Sequence, residues 1–151
     1  MAEKTSTDHH LVNDYVLEEQ IGHLLRRAYQ RHTAIFQQVI SDATLTSVQF
    51  AVMMAIRDHQ PAPLIKIGRV TAIDHATLRD VIMRLKRRGV LEVRPDQVDR
   101  RQRLVSLSDE GESLIADVIA GAHYVTEQTL APLDACEKIA AVHVLKKLAG
   151  S

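Results

Sequence analysis

The stretch from Asp74 to Leu107 constrains this chain more than any other. Asp74 is a helix-capping residue type, and Leu78, Val81, Ile82 and Leu85 recur behind it at helical spacing. Gly89 follows where a helix is most easily stopped by a left-handed residue. The chain then runs straight into two strand-like segments, Val90–Arg94 and Arg103–Leu107, around a polar turn containing Pro95 and Asp96. A capped helix, a glycine stop and a two-stranded ribbon with a charged tip are therefore expected in immediate succession.

Charge sharpens this pattern. Residues 79–103 carry nine basic groups (Arg79, Arg84, Lys86, Arg87, Arg88, Arg94, Arg100, Arg101, Arg103) and four acidic ones (Asp80, Glu92, Asp96, Asp99), a local excess of five positive charges. The whole chain is balanced, with 19 basic and 19 acidic residues, because the opposite sign is collected elsewhere. Residues 109–137 hold seven acids and no Lys or Arg, and residues 1–20 hold five acids against Lys4. Local field rather than net charge decides where a polyanion docks. A helix and a hairpin of positive sign have the shape and charge that a duplex groove accepts.

Other classes recede on simple grounds. A chain of 151 residues, 46% apolar and 25% charged, suits one or two small units around one main core. No apolar run approaches membrane-spanning length and the first residues lack a signal-peptide core, so a cytoplasmic protein without a membrane partner is expected. The single Cys136 excludes an internal disulfide framework and is expected to be a buried structural thiol. His9, His10, His23, His32, His59, His75, His123 and His143 show no His-x-x-x-His spacing, and no Cys-x-x-Cys occurs, so no metal site or cofactor is expected. With no nucleophile–base pair, phosphate loop or paired carboxylates, an enzyme is not expected.

Along the chain, residues 1–10 are polar and expected to fray. From Leu11 to about Ile40 the set Leu17, Ile21, Leu24, Ala28, Ile35 and Val39 predicts a long amphipathic helix. Thr46 is a plausible cap for a second helix that stops near His59, before Pro61 and Pro63. Pro63 suits the first turn of a short third helix through Leu64, Ile67 and Val70. Ser108 caps a fifth helix with acids in its first turn and the row Leu114, Ile115, Val118, Ile119, Ala122, Val125. Pro132 ends that pattern, and a sixth helix is expected from about Asp134 to Leu148. The first and fifth helices are long, and their apolar residues spread wider than one stripe. A second copy would cover them, giving a domain-swapped-looking helical dimer. The expected fold class is mainly α with a small β-hairpin.

Leu45–Phe50 opening the second helix, Ile73–Leu78 opening the fourth, and Arg84–Arg94 carry a family pattern. So, most specifically, does Asp99–Gly111, with its Asp-x-Arg, apolar strand and Leu-Ser-x-x-Gly. In the order and spacing of these motifs, residues 15–148 resemble the MarR family of bacterial transcription regulators. The resemblance implies a homodimer with a winged helix-turn-helix over 45–108 and dimerisation helices over 11–42 and 109–151. It further implies a repressor that binds double-stranded DNA at a pseudo-palindromic operator. Release would follow when a small phenolic or aromatic carboxylate effector binds near the junction of the two regions. Within the family the chain most resembles regulators of aromatic-acid, nicotinate-type breakdown genes, a likeness carried by no single motif.

In that frame the start of the fourth helix enters the major groove, where His75, Thr77 and Arg79 are spaced to face bases. Arg79 is the best base reader, since a guanidinium can take both acceptors of a guanine, and Thr77 suits a thymine methyl or a phosphate. Arg84, Arg87 and Arg88 lie further along and suit phosphates or acidic neighbours. On the wing stand Arg100, Arg101 and Arg103. The family pattern implies an Asp–Arg brace and a minor-groove arginine, read here as Asp99 with Arg103 for the brace and Arg101 for the probe, in an order that one sequence leaves open. The alternative for any one arginine is a solvated face. For an effector, Tyr15, His23, Arg26 and Arg27 on or near the first helix, with Gln49 from the second, suit a small aromatic carboxylate. Arg26 and Arg27 could instead pair with Glu18, Glu19 or a partner subunit. Competing readings are a metal- or redox-responsive sensor on the same fold and an interaction protein that has lost DNA binding. Redox-sensing members carry their reactive cysteine near the N-terminus, unlike Cys136.

Overall fold

The computed structural model describes residues 14–150. The expectations for residues 1–10, for His9 and His10, and for a helix beginning at Leu11 fall outside that range. The described chain opens with a 3-10 turn, Leu17–Glu19, followed by α1, Ile21–Val39. This first helix begins later than the apolar spacing predicts. Gln20 adopts extended backbone (φ −77°, ψ 132°), and its side-chain amide donates to the Val16 carbonyl, closing the 3-10 turn before α1. The next elements are α2 (Ser47–His59), β1 (Ala62–Pro63), α3 (Leu64–Thr71), α4 (His75–Arg87), β2 (Leu91–Pro95) and β3 (Arg103–Leu107). Two long helices follow, α5 (Asp109–Leu130) and α6 (Ala135–Leu148).

Local chemistry sets most boundaries. Thr46 and Gln49 form a reciprocal capping box at the start of α2, as do Asp134 and Glu137 at α6. At the end of α4, the amides of Gly89 and Val90 donate to the carbonyls of Lys86 and Leu85, and Gly89 sits at φ +84°. That pair of bonds is a Schellman stop, available because glycine takes left-handed backbone without penalty. The side chain of Ser108 caps α5 by accepting from the Gly111 amide.

Two expectations need correction around the prolines. Pro63 is the N-cap of α3, in extended backbone, rather than part of its first turn. Together with Ala62 it makes a third strand, so the ribbon is a three-stranded antiparallel sheet in the order β1-β3-β2. A proline-containing pair is tolerated there because β1 is an edge strand. Within the sheet Leu91 faces Leu107 and Pro95 faces Arg103.

The core lies under this sheet. Val52, Met53 and Ile56 of α2, Ile67 of α3, Leu78, Ile82 and Leu85 of α4, and Val105 of β3 are each at most 5% exposed. Phe36 and Ile40 at the end of α1 and Ile115, Val118 and Val125 of α5 extend the same cluster towards the terminal helices. Helices α1 and α5 run antiparallel where they meet, with Arg31 bonded to the Gln128 and Thr129 carbonyls and Ile40 beside Gly121. Beyond that contact the apolar cover ends. Helix α6 buries none of its residues, and Ile139 is 75% exposed. Tyr15, Leu17, Ile21 and Leu24, at and before the start of α1, are also exposed.

Candidate nucleic-acid interface

The buried stripe of α4 fixes which residues its other face presents. With Leu78, Val81, Ile82 and Leu85 inward, His75, Thr77, Arg79, Arg84 and Arg87 are exposed. Asp74 holds the first turn by accepting from the Thr77 amide at 3.0 Å. The Thr77 hydroxyl and amide keep the Asp74 carboxyl below its ordinary range, so the cap is a carboxylate at neutral pH.

The start of α4 and the loop end of the wing face one open cleft of about 560 Å³. Helix α4 contributes His75 and Arg79, the wing contributes Arg101, Gln102 and Arg103, and Pro63, Leu64 and Ile65 form the apolar wall. Three guanidiniums and an imidazole therefore converge on one concave surface. Thr77 does not line this cleft and is turned to its cap. Arg84 and Arg87 lie along the helix away from the cleft. Arg100, with Arg94 and Arg103, borders a second concavity of about 700 Å³ on the wing.

The wing loop is organised by two aspartates. Asp96 accepts from the Val98 amide at 2.9 Å, and Asp99 accepts from the Arg101 amide at 3.0 Å and the Gln102 side chain at 3.0 Å. Backbone bonds from Asp96 to Gln102 and from Gln102 to Asp99 close the same loop. Asp99 thus bonds to Arg101 and Gln102, and Arg103 is not its partner, which differs from the expected Asp99–Arg103 pairing. The short carboxylate reaches amides two and three residues ahead, a local bond that competes well against a long, solvated guanidinium. Gln102 is a cleft residue that a search for charge passes over; its place between Arg101 and Arg103 is the signal that marks it.

Arg88 belongs elsewhere. Its guanidinium pairs with Asp42 in the connection between α1 and α2, so one of the nine basic groups is turned away from the cleft.

The candidate effector residues are not gathered in one subunit. His23, Arg26 and Arg27 stand on the first turns of α1, Tyr15 precedes that helix and is exposed, and neither arginine makes an ion pair with Glu18 or Glu19 among the described residues. Gln49 begins α2, where its side-chain oxygen accepts from the Thr46 amide at 2.9 Å. Phe50 next to it meets Phe36, which is 13 residues, or about 20 Å of helix, from His23. Cys136 is exposed, not buried as expected, because α6 has no cover. Among the described residues no three His, Cys, Asp or Glu side chains cluster as metal ligands, and no helix is long and apolar enough to cross a membrane.

Comparison with known proteins agrees with this geometry. Residues 45–102, which contain α2 through most of the wing, match the MarR family. The HTH-type transcriptional repressor NicR of Pseudomonas putida is 43% identical over 137 residues, covering 91% of this chain and 87% of NicR. The solved structure of BpsR from Bordetella bronchiseptica, whose DNA binding is regulated by 6-hydroxynicotinic acid, superposes with a TM-score of 0.84 at 46% identity. That match covers 91% of this chain and 98% of BpsR. PcaV of Streptomyces coelicolor, solved with its natural ligand, has a TM-score of 0.83 at 29% identity, covering 91% and 96% of the two chains. These proteins are regulators, and this chain is not an enzyme. The chain belongs to the MarR family of winged helix-turn-helix transcriptional regulators.

Proposed function

We propose that two copies of this chain form a cytoplasmic repressor that binds a pseudo-palindromic operator and leaves it when a hydroxylated aromatic acid binds. The observation that carries the DNA reading is the shared cleft, in which the start of α4 and the loop end of the wing present His75, Arg79, Arg101 and Arg103 together. Arg79 would take guanine acceptors in the major groove, and a wing arginine would enter the adjacent minor groove. Arg84, Arg87 and Arg100 would meet phosphates, and Thr77 a phosphate beside its cap.

Dimerisation follows from the uncovered faces. Residues 45–108 form the reading head, and the helices on either side of it carry the apolar surface that a second copy would bury. A two-fold dimer sets its recognition helices in successive major grooves, about 10 base pairs apart.

The effector reading rests on similarity to NicR and BpsR and on an unpaired cationic group on α1. A carboxylate suits Arg26 or Arg27, and a ring hydroxyl or nitrogen suits His23 and Tyr15. Gln49 stands beside the Phe36 end of α1, about 20 Å of helix from His23 and about 15 Å or less from Arg26 and Arg27, so a pocket joining all of them would draw on the second copy. The test is thermal unfolding and operator binding with 6-hydroxynicotinate, nicotinate and benzoate. The effector should raise the melting temperature and weaken operator binding together, and a ligand that does neither is not the signal. If none of the three acts, the aromatic-acid reading fails while the DNA reading stands.

A further inference from the structure

A two-fold dimer discriminates operator spacing only when each recognition helix is held at a fixed angle to the dimer body. In this chain the C-terminal end of α4 is the held end. Its C-cap, Arg88, pairs with Asp42 in the α1–α2 connection. The other ion pair among the described residues joins the neighbours Arg57 and Asp58, so Asp42–Arg88 is the one that ties separate elements.

Asp42 is a fixed point rather than a loose surface acid. It accepts from the Thr44 amide at 2.9 Å and the Thr44 hydroxyl at 2.7 Å. Desolvation pushes its carboxyl up, but the Thr44 hydroxyl, the Arg88 guanidinium and the Thr44 amide outweigh it, and the group is held below its ordinary range. The connection around it is fastened at both ends. Ile40 is buried beside Gly121 of α5, and Leu45 is fully buried with its carbonyl accepting from Gln37 at 3.0 Å. On the other side of the same helix end, the Ser108 hydroxyl donates to the Gly89 carbonyl at 2.6 Å, joining α4 to the cap of α5. The α4 N-terminus, by contrast, opens into the cleft.

We infer that Asp42 and Arg88 are a positioning pair: their contact sets the angle of α4 against α1 and α5, and with it the half-site spacing the dimer accepts, while neither residue touches DNA. This rests on the dimeric DNA reading above. It also removes Arg88 from the set of phosphate ligands that the local charge excess suggests.

The test compares wild type, Asp42→Asn, Arg88→Gln and the double variant on three duplexes: a selected operator, the same operator with one base pair added between half-sites, and random sequence. Each single variant should weaken operator binding roughly ten-fold, and the double variant no further, as for two residues in one interaction. The penalty for the added base pair should shrink in all three variants, and affinity for random duplex and its salt slope should not change. Asp42→Asn is isosteric, and unchanged circular dichroism would confirm that it folds. Tighter DNA binding by Asp42→Asn would overturn the inference. So would an equal loss on random DNA by Arg88→Gln with a salt slope lower by about one, which would mark Arg88 as a phosphate ligand. Additive losses would overturn it as well. A wild type indifferent to spacing would overturn the pair and the dimeric reading together. A spacing-sensitive wild type with equally spacing-sensitive variants would overturn the pair alone.

Discussion

The winged head and the terminal helices are built from similar amounts of apolar sequence and treat it oppositely. In the head, each apolar stripe finds a partner within the same chain: α4 lays Leu78, Ile82 and Leu85 against α2, α3 and the sheet, and leaves its charged face outward. In the terminal helices the stripes of α1 and α6 stay open, with Ile21 at 62% and Ile139 at 75% exposure. A head that closes on itself can act as a rigid reader. Helices that stay open are what the proposed second copy would cover, and in that dimer the second copy would give the reader its symmetry. Scattered exposed apolar residues are ordinary, but Ile139, Val142, Val144, Leu145 and Leu148 are five exposed apolar residues within ten positions of one helix, a density of the kind found at interfaces.

Mutations separate the two regions. The largest effect is expected from placing a charge on the open surface, as in Ile139→Glu with Leu145→Glu. The head should keep its fold, but sedimentation should show a monomer, and operator affinity should fall by about a hundred-fold or more as two-site avidity is lost. A dimer that survives would break the comparison. Within the head, Leu78→Ala leaves a hole at a 1% exposed position and should cost about 2–5 kcal/mol in chemical denaturation. Its effect should appear in stability first, with the association of the terminal helices retained while the protein is folded.

The cleft residues divide by the kind of DNA they sense. Arg79→Ala should lose about 1–3 kcal/mol on the operator, concentrated at one base position, when binding is measured across a set of single-base operator variants. Arg101→Ala should weaken operator and random duplex more evenly and lower the salt slope by about one. Equal losses on both DNAs for Arg79→Ala would sink its role as a base reader.

The smallest effect concerns the cap. The Asp74 carboxyl is held below its ordinary value of 3.8, so its contribution to stability is complete above that value and is lost as pH falls through the depressed one. Wild-type melting temperature should therefore drop on acidification below about pH 4 more steeply than that of Asp74→Asn. Parallel curves would mean that Asp74 does not act through its charge.

Much of the head was legible because its signals are local. Asp74, Gly89, Ser108 and Thr46 announce caps and stops that depend on a few neighbouring atoms, and the α4 stripe depends on spacing alone. The features that escaped are those made by distant pairing. Strand β1 exists because Ala62 and Pro63 meet Leu104 and Val105 some forty residues later, and two residues give no alternating pattern of their own. Asp42–Arg88 spans 46 positions and is invisible to any local rule. Asp99 was recognisable as a wing residue, yet its partners, the Arg101 amide and the Gln102 side chain, depend on how the loop turns. The candidate effector residues stand out by side-chain chemistry alone, and Gln49 does not join the others within one chain, which is what a site shared between two copies would look like from one of them.

The most direct test of the account is selection of duplexes from a random library by the wild-type protein, with the stoichiometry of the winning complex measured by sedimentation. The account predicts an imperfect palindrome with half-sites about 10 base pairs apart, bound by two chains per duplex. An asymmetric site bound by one chain, or no enrichment at all, would contradict it.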